Sequence, residues 1–168
     1  MPYSGSELCL IRVTFPPMNK HAPPEHLTSY EGDLYLWSQR QAGLIRKLKI
    51  EGLDAENVAE EIESLGRSDR RELKSRLVVL LEHLLKWQFQ PDQRSSSWRG
   101  SLRESRDKII VILKESPSLN RVFKSELPDC YALGLRYAIE ETGLDTASFP
   151  VDCPYTEDQL LDRNFLPN

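Results

Sequence analysis

Glu61, Glu72 and His83 are the residues whose types best suit chemistry, because a carboxylate and an imidazole on the inner edge of a helix can ligate a divalent metal or exchange protons. On a helical wheel Glu72, Arg76, Val79 and His83 fall along one flank, and Glu61 points to a similar flank two to three turns earlier. The spacing argues against a metal. Di-iron bundles take Glu-x-x-His from each of two helices, whereas Glu82 and His83 are adjacent and diverge by about 100°. A half-buried His83 bonded to a carboxylate or to backbone explains the pattern with fewer assumptions, and no cofactor is implied. His21 and His26 lie in a Pro-rich stretch too loose to complete a site.

A second constellation is basic and aromatic. Arg94, Trp98, Arg99, Arg103, Arg106 and Lys108 cluster in RSSSWRGSLRESRDK, with Trp87 close by in sequence. Arginine forks pair with phosphate or carboxylate, and an indole can stack on an unpaired base. The segment is only modestly positive, since Glu104 and Asp107 offset part of its charge, and the chain as a whole is acidic with a formal net charge of −4. That balance disfavours a nucleic-acid binder. Residues 51 to 63 carry six carboxylates and no cation. An acidic helix face and a basic one are therefore expected to compensate each other within a bundle or across a dimer, or to meet a charged protein partner. Arg94, Arg99, Arg103 and Arg106 are the expected partner-binding residues.

Other reactive side chains lack their accomplices. Ser95, Ser96 and Ser97 have no GxSxG elbow around them and read as a turn with a helix cap. Cys9, Cys130 and Cys153 share no metal-ligand spacing and are odd in number, which excludes a disulfide framework and fits a reducing cytoplasm. Cys153 has no neighbouring His or Lys to lower its thiol pKa. No stretch approaches the ~20 apolar residues needed to cross a bilayer.

The elements that must hold these residues are helices. Asp33 is a good N-cap for a first helix with Leu34, Trp37, Leu44, Ile45 and Leu48 on its apolar side, and Gly52 closes the linker after it. Asp54 caps a second, in which Val58, Ile62 and Leu65 continue into Leu73, Leu77, Leu80, Leu84 and Trp87 without loss of phase. Gly66 falls on that stripe, so the spacing predicts one long helix with Gly66 as a close-packing contact, ended by Pro91. Ser96 or Ser97 caps a third helix through Trp98, Leu102, Ile109, Ile112 and Leu113. Ser116-Pro117 reads as the start of a fourth, which Pro128 should kink or restart and Gly143 should end. Thr156 to Gln159 offers a capping box for a short last helix ending near Asp162. No strand alternation appears. The expectation is an all-α bundle over residues 30 to 168, one domain with a long central helix and the tryptophans in its core. Residues 1 to 29, with two Pro-Pro pairs and no period, read as a flexible N-terminal extension. Met18, directly after Pro16-Pro17, is an alternative start position.

Taken in order, EEIESLGRSDRRELKSRLVVLLEHLLKWQFQP, SSSWRGSLRESR, ESPSL, AIEETGL, FPVDCPYT and LLDRNFLP resemble the bacterial domain-of-unknown-function family 29 over about residues 30 to 168. The resemblance implies a small helical protein and carries no activity with it. The function expected from the residues is a non-catalytic module that self-associates or docks a protein partner. A metal-dependent or acid/base enzyme using Glu61, Glu72 and His83 stands second, and nucleic-acid binding through Arg94 to Lys108 third.

Overall fold

Asp33 does more than start a helix. In the computed structural model, which describes residues 29–48 and 54–168, its carboxylate accepts from the Leu36 N–H at 2.7 Å to cap α1 (Leu34–Ile45). The same buried carboxylate accepts from the Ser118 N–H at 2.7 Å and from the Ser118 hydroxyl at 3.1 Å. It thereby fastens the start of α1 to the turn between α3 (Ser96–Glu115) and α4 (Leu119–Thr142). Ser116, also buried, reinforces this knot by accepting from the Tyr35 N–H and donating to Asp69. The expectations for the N-terminal extension, with Cys9, Met18, His21 and His26, and for the Gly52 linker lie outside the described residues.

The long helix α2 (Ala55–Phe89) runs 35 residues, about 53 Å. It is the hub on which α1, α3 and α4 all pack, while α3 and α4 touch each other little. Its C-terminal half is apolar nearly all round, with Leu77, Leu80, Leu81, Leu84 and Leu85 at 1% exposure or less, because α3 and α4 enclose it. Its N-terminal half packs on α1 along the small residues Ala59 and Gly66, with Gly66 opposite Ser38, and near its middle Asp69 and Arg70 reach Ser116 and Glu126. A Cβ on Gly66 would sit 2.7 Å from Ser38 Oγ and 2.8 Å from Tyr35 Cδ2, so the glycine sets how closely the two helices approach. The helix is continuous through Gly66, as the stripe predicted.

This geometry corrects several sequence expectations. Val58 and Leu65 are exposed rather than core, as are Leu44 and Leu48, because the seam against α1 runs one residue over, through the small side chains that allow close packing. Ser95, not Ser96 or Ser97, caps α3, its hydroxyl accepting from the Trp98 N–H. Ser116-Pro117 ends α3 instead of opening α4, whose N-cap is Ser118. Pro128 lies inside α4 without restarting it; the ring is on the exposed face, and Phe123 and Tyr131 anchor the helix in the core on either side.

The C-terminal segment is strapped over the bundle. Gly143 ends α4 in the left-handed conformation, and the Thr156–Gln159 capping box opens α5 (Glu157–Leu161), both as expected. Tyr131 donates to the Pro150 carbonyl at 2.6 Å, Tyr155 donates to Gln88 at 2.8 Å, and Phe149 stacks edge-on against Phe89. The core therefore sits between α2, α3, α4 and this strap, and no strand occurs among the described residues.

Candidate functional site

The first candidate set does not come together. Glu61, Glu72 and His83 lie eleven residues apart in turn on one helix, a rise of about 16 Å per step, too far for a shared ion. Glu61 is exposed, Glu72 pairs with Arg76, and His83 Nδ1 lies 2.9 Å from the Val79 carbonyl one turn back. No group of three or more His, Cys, Asp or Glu side chains suited to a metal occurs among the described residues. The low-cost explanation of His83 is the one the structure adopts.

Beside His83 stands a network that apolar periodicity conceals. Glu82 and Lys86 occupy core-facing positions of α2, and the Lys86 ammonium bonds Glu82 at 2.8 Å, reaches Glu141 on α4 and lies 5.3 Å from the Trp98 ring centre. Burial works against the Lys86 charge, yet the hydrogen bonds it donates to Glu141 and Glu82 outweigh it and raise its pKa. The Glu141 carboxylate is held low mainly by its bond to Lys86. Burial, then the Lys86 charge, pushes the His83 imidazole down. Lys86 thus ties Glu82 and Glu141 into one network beside His83.

The arginines are different. Arg94, Arg99, Arg103 and Arg106 line one cleft of about 1060 Å³, joined by Arg163 and Asn164 from the C-terminal strap. Helix geometry explains three of them, since positions 99, 103 and 106 follow the i, i+4, i+7 rule for a single face. Arg94 is drawn in by the 3₁₀ turn Pro91–Gln93 and donates through Nε to the Trp87 carbonyl at 2.8 Å. Its guanidinium lies 5.2 Å from the Trp87 ring centre and that of Arg99 lies 5.4 Å away, so the indole serves as a ledge for two cations. Asp107 is the one carboxylate in the lining, and Arg163 Nε already holds it at 2.7 Å.

Within the bundle, charge compensation at the acidic start of α2 comes from other arginines than those of the 94–108 segment. The acidic start of α2 is met by Arg46, which pairs with Glu56 and Glu63, and by Arg67, which pairs with Glu63 at 3.1 Å. Arg94, Arg99 and Arg103 form no ion pair among the described residues. Lys108 is exposed and outside the cleft, and Trp98 faces Lys86 instead. Arg106 corrects the expectation of a surface residue. It is 1% exposed, donating through Nε to the Leu160 carbonyl at 3.2 Å, and burial pushes its pKa down while the charge of Asp162 acts the other way.

A family model described as domain of unknown function DUF29 matches residues 29–166. The chain belongs to the DUF29 family. An alpha-helical protein of unknown function from Rhodospirillum rubrum, known from a crystal structure, has 24% sequence identity to this DUF29 chain. The match covers 82% of this chain and 91% of that one with a TM-score of 0.61, which shows the same fold. No curated protein matches. No helix among the described residues is long and apolar enough to cross a membrane.

Neither described cysteine of the DUF29 chain is set up as a nucleophile. Burial pushes the Cys130 thiol up to about 11 and raises that of Cys153 as well, the reverse of what thiolate chemistry needs. Arg163 is the functional candidate that sequence reading missed. It stands 57 residues beyond Arg106 in a segment without local basic character, and only the docking of the strap on α3 brings it in.

Proposed function

We propose that this DUF29 domain is a non-catalytic interaction module that docks an acidic segment of a protein partner in the cleft between α3, the end of α2 and the C-terminal strap. One observation carries the reading: five arginines from two separate stretches of chain, residues 94–106 and the C-terminal strap, line a single cleft with one carboxylate, which lies beside Arg163. Guanidinium groups spread along a groove are the recurring solution for recognising acidic or phosphorylated peptides. The cleft floor is built on buried Leu102 and Trp87, so the cations are held by the core rather than by a mobile loop.

Nucleic acid fits less well. Single-strand binding rests on aromatic faces open to bases, and Trp87 is 6% exposed with two guanidinium groups already against its ring. The metal or acid/base reading has no assembled site to support it. A cytoplasmic setting accompanies the proposal, since Cys130 and Cys153 are free thiols, and cell fractionation would check it.

Fluorescence anisotropy with a labelled hexaglutamate peptide tests the reading. Binding should weaken as salt rises and fall at least tenfold in the double variant Arg99→Glu/Arg103→Glu, with its thermal midpoint unchanged because both side chains are exposed. Equal binding by the double variant, or saturable binding of a poly-dT oligonucleotide in place of the peptide, would refute it.

A further inference from the structure

Arg106 is the anomalous member of the cleft. The other four arginines are exposed, but Arg106 is 1% exposed, and its Nη2 is one of two buried side-chain polar atoms without a hydrogen-bond partner among the described residues, the other being Asp107 Oδ1 in the same cleft lining. The nearest acidic influence, Asp162, makes no hydrogen bond to it, and one of its carboxylate oxygens already accepts from the Asn164 N–H. Nε donates to the Leu160 carbonyl, but a buried guanidinium nitrogen such as Nη2 that has lost its water without gaining an acceptor is an incomplete arrangement. An oxyanion seated on the cleft floor would complete it.

The charge available there favours one kind of oxyanion. Five guanidinium groups stand against the lone carboxylate of Asp107, which is held by Arg163. A carboxylate offers one negative charge and two acceptor oxygens, whereas a phosphoryl group carries about −1.5 to −2 and presents three. We propose that the floor of this cleft, at Arg106, is a phosphoryl-binding site that anchors a phosphorylated residue of the docked partner. The inference rests on the reading of the cleft as a peptide-docking surface and adds what that surface selects. Arg103 and Arg163, both exposed in the cleft lining, are the nearby cations for such a group, Arg163 sharing its charge with Asp107, and Arg106 supplies the buried donor.

The spacing also sets the flanking residues. Arg99 and Arg106 are seven residues apart on α3, about 10.5 Å, which an extended peptide covers in about three residues. A phosphoserine on the floor therefore places a residue three positions away beside Arg99 and Arg94, where a carboxylate would find the two cations held on Trp87.

Three labelled peptides differing at one position test this: phosphoserine, glutamate or serine, each with a second glutamate three residues away. Anisotropy at physiological salt should show the phosphoserine peptide binding at least tenfold tighter than the serine peptide and several-fold tighter than the glutamate one. Arg106→Lys keeps the charge but loses the fork and should erase the phosphoserine preference. Because that residue is buried and the change could disturb the fold, Arg103→Gln, at an exposed position without an ion pair among the described residues, should reduce the preference with an unchanged thermal midpoint. Equal binding of the phosphoserine and glutamate peptides would overturn the phosphoryl site and leave the acidic docking surface standing. Binding of none of the three would remove both. Inorganic phosphate displacing the peptide at equal concentration would assign the site to a small phosphorylated compound and overturn the peptide anchor.

Discussion

At the scale of single residues, this domain places ions inside its core and bonds most of them, with Arg106 Nη2 and Asp107 Oδ1 the buried exceptions among the described residues. Lys86 is 3% exposed yet bonded by two carboxylates, the arrangement that makes a buried ammonium tolerable. His83 lies against this network, facing Glu82, Lys86, Glu141 and the Val79 carbonyl, and its pKa is depressed in the folded protein. The sign of its contribution follows directly. A histidine with a folded pKa below the unfolded value of about 6.5 binds its proton more readily when unfolded, so it stabilises the fold above that pH and ceases to as pH falls through the folded pKa. Urea denaturation should accordingly show stability declining from pH 7 towards pH 5, and His83→Gln should flatten the decline over that window. A wild-type profile no steeper than that of the variant would contradict the assignment.

At the scale of elements, small side chains decide how helices meet. Gly134 packs α4 on α2 so closely that a Cβ there would lie 3.0 Å from the Val78 carbonyl oxygen and 3.2 Å from the Glu82 nitrogen. Backbone cannot turn aside as a side chain can. Gly134→Ala should cost about 1–3 kcal/mol through overpacking, while Gly43→Ala, with nothing within 4 Å, should gain about 0.5–1 kcal/mol from helix propensity. Thermal melts of the two variants should move in opposite directions. The same feature explains what the sequence made legible. Apolar steps of three and four predicted the helices, the continuity of α2 and the packing role of Gly66, because periodicity records which side faces inward. Periodicity mistook Val58 and Leu65 for core because it weights bulk, and the α1–α2 seam is built from residues with almost none. Asp33 was readable as a cap for α1, but its second bond to Ser118, 85 positions along the chain, has no local signal.

At the scale of the whole molecule, charge is sorted into regions. At the acidic start of α2, Glu56 and Glu63 pair with Arg46 and Arg67, whereas Arg94, Arg99 and Arg103, near the opposite end of that helix, form no ion pair among the described residues. Four of the five cleft arginines were visible in sequence as one basic segment. Two facts were not: Arg106 turns inward under the Leu160 carbonyl, and Arg163 arrives from the strap. Both depend on the docking of α5 on α3, a long-range contact between segments with no shared pattern. In the proposed function the strap is part of the binding surface rather than a passive end, and these guanidinium groups act together on one anionic ligand. The most direct measurement follows the arginine Nε–Hε resonances by ¹H–¹⁵N NMR while the phosphoserine peptide is added. Arg94, Arg99, Arg103, Arg106 and Arg163 should shift in concert and saturate together, with Arg71, Arg121 and Arg136 unmoved. Shifts spread evenly over all the arginines, or confined to those outside the cleft, would contradict it.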